Sequence, residues 1–303
     1  MPLPHLVPNR RPMEKLLAGL RSLLVGLVLI PGIFLANLLQ MLSLVVRPFS
    51  LRLFRRINRH IAAGWWGASV LLGRWLHGVK VHVSGDPLNS HENAVIMVNH
   101  QSMADIPVLL DMSYGTGRLG DLKWYVKDVL KYVPGIGWGM LFLDCLFIRR
   151  NWTQDQALIE KVFGSIVKGK VPVWIVSFLE GTRMTPVKLE KSQAYARGTA
   201  QSEPQHVLIP RTKGFVATVQ GLSKHIQAVY DVTIGYVDGV PSLWQWFLGR
   251  ATEVHVHISR SPIDTLPVDS EGLAEWVSRQ YRQKDERLGR FYETGEFLEV
   301  PTE

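Results

Sequence analysis

Short apolar runs alternate with amphipathic stretches along most of this chain. From Val79 onward the runs fall at 79–83, 94–98, 122–126, 146–148, 171–178, 206–209, 228–235 and 254–258. Helical periodicity fits 102–113, 153–168, 213–224 and 271–291. Several runs are apolar at every position, as strands buried on both faces are. The pattern predicts an α/β fold: a mixed, largely parallel sheet flanked by helices.

The N-terminal part reads differently. Between Arg21 and Arg47 no residue is charged, which leaves 25 uncharged positions from Ser22 to Val46. As a helix they extend roughly 37 Å at ~1.5 Å per residue, more than the ~30 Å hydrocarbon core of a bilayer. The run is too long for a signal peptide and no small-residue cleavage pattern follows it, so a membrane anchor is expected. Pro31-Gly32 lies near its middle and predicts a kink, or a re-entrant helical hairpin. Residues 51–78 form an amphipathic stretch. Arg52, Arg55, Arg56 and Arg59 stand among Leu51, Leu53, Phe54 and Ile57, with Trp65, Trp66 and Trp75 beyond. This mixture suits a membrane interface, or equally a helix packed on the following domain. The expected organisation is an anchor over 1–78 and a folded domain over 79–303.

Charge sharpens the picture. The 303 residues carry 34 Lys+Arg against 26 Asp+Glu, a net charge of +8. Residues 1–60 hold nine of the basic residues (Arg10, Arg11, Lys15, Arg21, Arg47, Arg52, Arg55, Arg56, Arg59) and one acid, Glu14. The whole excess therefore brackets the apolar run. A nucleic-acid binder carries its basic stripe on the folded domain, so an anionic membrane surface is the expected partner and nucleic acid is not. The basic residues flank both ends of the run and do not fix its orientation.

Several familiar patterns fail on context. The G-x-G-x-x-G at 115–120 follows a helical stretch and leads into a strand, the reverse of a dinucleotide fingerprint. The run from Gly164 to Lys170 nearly matches a phosphate loop, but Val171 stands where Ser or Thr is required. No G-x-S-x-G nucleophile elbow occurs. His255 and His257 share a strand face, but no third metal ligand has evident spacing, so a solvated face is expected and no metal site. The lone cysteine, Cys145, excludes an internal disulfide and reads as a buried structural residue rather than an acyl-accepting thiol. Asn151-Trp152-Thr153 is a glycosylation sequon without meaning in a cytosolic domain.

Two motifs carry chemistry. The first, Asn99-His100-Gln101-Ser102-Met103-Ala104-Asp105, follows the run 94–98. Histidine near its ordinary pKa of ~6.5 accepts a proton at neutral pH. A carboxylate on its other ring nitrogen fixes the tautomer and stabilises the imidazolium. Five residues of helix turn through roughly 500°, which leaves the two side chains ~140° apart. The pairing therefore needs His100 in a loop before the helix, with Ser102 as N-cap and Asp105 at N3. Alternatively, Asp105 merely caps that helix. The second motif, Phe178-Leu179-Glu180-Gly181-Thr182-Arg183, follows the run 171–178. Gly181 permits positive φ, Thr182 offers a hydroxyl, and Arg183 presents a planar fork suited to phosphate. A plain surface turn is the competing reading.

Placement adds weight. His100, Lys127, Arg149 and Arg150, Glu180 and Arg183, and Arg211 each follow an apolar run. In a parallel sheet those strand ends share one edge, where α/β sheets bind ligands. A base and several cations on one edge, attached to a membrane anchor, suggest chemistry on a phosphorylated lipid with a free hydroxyl.

These residues resemble the glycerolipid acyltransferases of the 1-acylglycerol-3-phosphate (lysophosphatidate) acyltransferase type. Asn99-His100…Asp105 and Phe178 to Arg183 look like the first and third blocks of that family. Val126-Lys127…Pro134-Gly135 and Phe147-Ile148-Arg149-Arg150 look like its intervening segments, and Val207 to Thr212 like its fourth block. Pro210-Arg211-Thr212-Lys213-Gly214-Phe215 is similar to the lysocardiolipin-type branch, as are 229–233 and Pro241-Ser242-Leu243. The likeness covers roughly residues 80–297.

The resemblance implies a mechanism. His100 is the general base on the acceptor hydroxyl, oriented by Asp105. Arg183, Lys127 and Arg150 bind the acceptor's phosphate. Asn99, Glu180, Gly181, Thr182, Pro210 and Arg211 shape the site. The thioester of acyl-CoA or acyl carrier protein is a co-substrate, and no metal or further cofactor is implied. Lysophosphatidate giving phosphatidate is the expected reaction. Another lysophospholipid acceptor, a thioesterase and a non-catalytic binding module remain as alternatives. The expected location is a bacterial inner membrane, with the catalytic domain facing the cytoplasm. Two departures stand out: Leu179 where the family usually has proline, and Arg149 where an acidic residue is common. The apolar stretch 243–248, with Trp244 and Trp246, suggests a second membrane contact or core packing.

Overall fold

The computed structural model of the chain describes residues 12–149 and 152–297. Arg150 and Asn151 of the sequon lie outside the described residues. Two long helices come first, α1 (Pro12–Leu42) and α2 (Leu51–His77). They are followed by β1 (Lys80–Gly85), β2 (Ala94–Val98), α3 (Asp105–Ser113), β3 (Leu122–Lys127), α4 (Ile136–Phe142), β4 (Leu146–Ile148) and α5 (Trp152–Gly169). The chain continues with β5 (Trp174–Ser177), α6 (Pro186–Gly198), α7 (Thr212–Leu222), β6 (Ala228–Tyr236), α8 (Leu243–Phe247), β7 (Glu253–Pro262) and α9 (Ser270–Thr294).

The seven strands form one sheet in the order β1-β7-β6-β2-β5-β3-β4. Neighbours from β6 to β4 pair in parallel, β6 and β7 pair antiparallel, and β1 runs parallel to β7. The expected mixed, largely parallel sheet is therefore present. Alternation of side chains divides its core into two layers. Ala94, Ile96 and Val98 of β2 pack with Trp66, Val70, Val108 and Leu109 from α2 and α3. Val95 and Met97 face Phe163, Phe215, Val277 and Tyr281 from α5, α7 and α9.

Residues 206–209 do not form the expected strand. Their backbone N–H groups go to side chains rather than a neighbouring strand. His206 and Val207 donate to Asp285, Leu208 to Glu180 and Ile209 to Ser192. Val207 and Leu208 are buried as loop residues, so the apolar pattern reported burial and not extended pairing. Likewise β5 is shorter than the run at 171–178, and β7 is longer than that at 254–258.

Helix α1 runs without a break through Pro31, so the apolar run does not fold back at Pro31-Gly32. Gly32 serves packing instead. A Cβ there would lie 3.3 Å from Cδ1 of Trp65, whose Nε1 donates to the Leu29 carbonyl at 3.1 Å. The chain reverses after Leu42 and α2 returns antiparallel along α1, with Asn58 donating to Ser43 at 2.9 Å. Val25, Leu29, Asn37 and Gln40 of α1 are buried against its neighbours, while Leu20, Leu24, Leu27, Phe34 and Leu38 are exposed. Leu16–Val45 is the one stretch, among the described residues, long and apolar enough to cross a membrane.

Helix α2 buries Phe54, Asn58, Ala62, Trp66 and Val70, one residue every four. Ser50 caps its start by accepting from the Leu53 N–H, and Gly78 at φ 67° ends it. Its arginines divide by face. Arg55 pairs with Asp144 at 2.8 Å, Arg59 with Asp121 at 2.6 Å and Arg74 with Asp111 at 2.8 Å, all on the domain. Arg52, Arg56 and Trp75 are exposed. Of the two readings of this stretch, a helix docked on the domain describes most of it.

Candidate active site

His100 lies in the loop between β2 and α3, and its Nδ1 is 2.9 Å from Oδ2 of Asp105. The pairing expected from the sequence is formed. A carboxylate only accepts, so Nδ1 carries the hydrogen and Nε2 keeps its lone pair. Nε2 has no protein partner among the described residues. The ring stacks on Phe178, with centroids 4.1 Å apart and planes 24° from parallel.

Asp105 is fully buried and fully engaged. Its Oδ2 also accepts the backbone N–H of Gln101 at 2.8 Å and of Ser102 at 2.9 Å. Its Oδ1 accepts the hydroxyl of Tyr236 at 2.7 Å. Burial and the Asp105 charge in turn push the Tyr236 phenol well above its ordinary range, so it stays a donor.

The expected capping arrangement is only half present. Asp105 itself opens α3, with Ala104 before it as a cap that makes no side-chain bond. Ser102 accepts from the Ala104 N–H at 3.1 Å and donates to the Pro241 carbonyl. Ser102 therefore ties the loop to the segment entering α8 and does not cap the helix. Asn99 is locked across the sheet, donating to the Ile234 carbonyl at 3.0 Å and accepting its N–H at 2.8 Å.

The second motif is tied to the first. Glu180 Oε1 accepts the His100 backbone N–H at 2.8 Å, and Oε2 accepts that of Leu208 at 3.2 Å. Met184 N–H returns a bond to the His100 carbonyl at 2.8 Å. Burial pushes the Glu180 carboxyl up to about 8, against the two N–H bonds that favour its charge. Gly181 has φ 67°, and a Cβ there would lie 3.1 Å from Cδ of Arg211. Arg211 N–H in turn donates to the Leu179 carbonyl at 2.7 Å. Pro210 and Arg211 thus reach the site through loop-to-loop bonds, not at the end of a strand.

Lys127 ends β3 in register with Ile148 of β4, at the same sheet edge as His100 and Glu180. Arg183, Lys127 and Arg211 are exposed and have no side-chain partner among the described residues. Arg149 is drawn aside toward Asp128, 3.7 Å away. Arg150 falls outside the described residues. Thr182 accepts from Nζ of Lys188 at 2.6 Å, and Lys188 also reaches the Arg183 carbonyl at 3.1 Å.

Sequence reading missed Tyr236, Lys188 and the pair Gln101–Tyr292, joined at 3.0 Å. Two of these had signals. Tyr236 is the last residue of β6, one position beyond the run at 228–235, and so obeys the strand-end rule. Thr185-Pro186 is a helix-start signature, with Thr185 accepting from Lys188 N–H and proline in the first turn. It announces α6 and puts Lys188 beside the Glu180 loop. Gln101–Tyr292 spans far too much sequence for any local signal.

Comparison with known proteins identifies the family. A sequence model described as acyltransferase matches residues 80–237, and one described as acyltransferase C-terminus matches 245–303. The 1-acyl-sn-glycerol-3-phosphate acyltransferase 3 of Arabidopsis thaliana is 32% identical over 94% of this chain and 78% of its own length. The human 1-acyl-sn-glycerol-3-phosphate acyltransferase delta is 30% identical over 90% of this chain and 74% of its own length. Among solved structures, the 1-acyl-sn-glycerophosphate (LPA) acyltransferase PlsC of Thermotoga maritima superposes with a TM-score of 0.56 at 18% identity. That alignment covers 92% of this chain and 98% of PlsC, and it speaks to the fold. With relatives matched along nearly the whole sequence and the family model spanning just over half of it, the chain belongs to the acyltransferase family.

Proposed function

We propose that this protein transfers an acyl group from a thioester to the free hydroxyl of 1-acylglycerol-3-phosphate, forming phosphatidate. The observation that carries the reading is the His100–Asp105 pair, with Nε2 free of partners among the described residues. Nε2 takes the proton of the acceptor hydroxyl as its oxygen attacks the thioester carbonyl. The tetrahedral intermediate then collapses, the C–S bond breaks, and the imidazolium returns the proton to the leaving thiolate. Asp105, held by three further donors, stabilises the imidazolium without moving. A positioned base of this kind contributes ~10²–10⁴-fold.

Arg183 and Lys127 are assigned to the acceptor's phosphate, with Arg150 as the third cation implied by the family resemblance. Arg211 and Lys188 flank the same loop and add to the positive field. Acyl-CoA or acyl carrier protein serves as co-substrate, and no prosthetic group takes part in these steps. Because both donors are cytosolic, the catalytic domain is placed on the cytoplasmic side, with α1 in the bilayer. A bacterial inner membrane is the finer placement.

The test is acyl transfer in liposomes with radiolabelled lysophosphatidate and acyl-CoA, wild type beside His100→Ala. Phosphatidate formed by wild type and lost in the variant is the expected result. Free fatty acid without a diacyl lipid would make water the acceptor and overturn the reading. Acylation of a different lysophospholipid in preference would keep the reaction class and replace the head group.

A further inference from the structure

The edge of the sheet farthest from β4 carries a cluster that acyl transfer does not use. His82 of β1 stands in register with His255 of β7, and Glu253 lies two residues before His255 on the same face. These three come from two parallel strands, so a cross-strand neighbour meets an i, i+2 pair. Nε2 of His82 is 3.1 Å from Oε1 of Glu253, and Nε2 of His255 is 4.0 Å from the same oxygen. One ligand atom from each residue lies within 4.8 Å of the other two. The imidazoles stack with centroids 4.7 Å apart.

We infer that His82, Glu253 and His255 form a binding site for a divalent first-row transition ion of the zinc type. Metal–ligand bonds of ~2.0–2.2 Å in a tetrahedron put ligand atoms roughly 3.3 Å apart. The His82–Glu253 distance already meets this, His255 stands 4.0 Å from the same Glu253 oxygen, and all three ligand atoms lie within 4.8 Å, so His255 has to close by up to about 1.5 Å. Two imidazoles and one carboxylate suit zinc, whereas calcium and magnesium take oxygen ligands. The nearby Glu296 carboxylate adds negative field. His255 is anchored from behind by the Phe291 ring of α9, 5.4 Å away. Exposure of His82 and Glu253 leaves a fourth position open to water.

His257, the residue that pairs with His255 in the sequence pattern, is not part of the site. Its Nδ1 is 3.2 Å from Ser84 Oγ, and its ring packs on Phe297. The third ligand comes from β1, over 170 positions away in sequence. Its consequence is structural. β1 is an edge strand, and the ion fastens it to β7 beside the strand whose Ile234 carbonyl holds Asn99 and Gln101.

The test uses tag-free, chelator-treated full-length protein in detergent, titrated with Zn²⁺ by calorimetry and with Co²⁺ by visible absorption. One ion per chain with the d–d bands of a low-coordinate site is expected, together with a raised Tm. His82→Ala and Glu253→Gln should each weaken binding by at least ~10-fold, by loss of one of three ligands. Both variants should keep wild-type Tm in chelator, since both side chains are half exposed. Equal Zn²⁺ affinity in wild type and both variants, or a Tm that Mg²⁺ raises as much as Zn²⁺, overturns the inference.

Discussion

Glu180 holds the backbone of His100: its Oε1 accepts the His100 N–H at 2.8 Å while its Oε2 accepts the Leu208 N–H at 3.2 Å. One buried carboxylate therefore positions both the base and the loop that carries Arg211. Its place in the motif is explained by geometry and requires no contact with substrate.

That burial has a consequence for stability. The Glu180 carboxyl is pushed from 4.5 to about 8, chiefly by desolvation. Its folded pKa lies above its unfolded one, so the folded state keeps a proton that the unfolded chain releases. The contribution is fully present below pH 4.5 and is lost as pH rises through about 8. Thermal melts between pH 5 and 9 should show the wild-type Tm falling relative to Glu180→Gln by at least ~2 °C, a shift set by the size scaling of Tm. Parallel curves would show that Glu180 does not titrate in this range.

Asp105→Asn tests the orientation of the base. The amide still fits among Gln101 N, Ser102 N and Tyr236, but it can offer His100 a donor where an acceptor is needed. kcat should fall by roughly 10²–10⁴-fold with little change in the acceptor KM. Tyr236→Phe removes one of the four donors to Asp105 and should lower kcat by only ~2–10-fold, the worth of one hydrogen bond. Steady-state kinetics on both variants separates the roles. A larger effect from Tyr236→Phe than from Asp105→Asn would reverse them.

The parts legible in the sequence were those in which local pattern and tertiary role coincide. β2 is apolar at all five positions because both its faces are buried, and it was readable to the residue. His100 and Asp105 sit in one short loop, so their spacing alone dictated the geometry. The segment 206–209 was misread because its N–H groups bond to Asp285, Glu180 and Ser192, partners that no local pattern displays. The cluster of His82, Glu253 and His255 has no local signal for the same reason, since His82 and His255 meet only through the pairing of β1 with β7. Arg55 and Arg59 are ambiguous in the sequence because a cation beside an apolar helix looks alike whether it faces a headgroup or an aspartate of the domain.

Helix α8 separates the two tryptophans of the apolar stretch 243–248 by burial. Trp244 is 71% exposed, while Trp246 is 8% exposed and packs in the core. The helix adjoins α1, where Ser22 Oγ donates to the Phe247 carbonyl at 3.0 Å. Only Trp244 is therefore free to touch lipid beside the anchor. Trp244→Phe should remove a component of tryptophan emission that brominated phospholipid quenches, without lowering Tm. Trp246→Ala should cost ~3–5 kcal/mol, as other large-to-small core changes do. Undiminished quenching in Trp244→Phe would place α8 away from the bilayer.

Gly181 and Arg211 offer a further test of the phosphate site. Gly181 adopts φ 67°, where a Cβ costs ~1–2 kcal/mol. That Cβ would also meet Arg211 at 3.1 Å from Cδ and 3.2 Å from Nε, so the Arg211 side chain has to give by a few tenths of an ångström. Gly181→Ala should then raise the KM for lysophosphatidate several-fold, by displacing a cation from the acceptor's phosphate. In an Arg211→Ala background the new methyl has nothing to push, and only the backbone strain remains. The two substitutions should therefore be non-additive in KM, as neighbouring residues with a shared contact are. The measurement is a double-mutant cycle on KM and Tm. Additive KM effects would mean that Gly181 acts on the site through Thr182 and Lys188 rather than through Arg211.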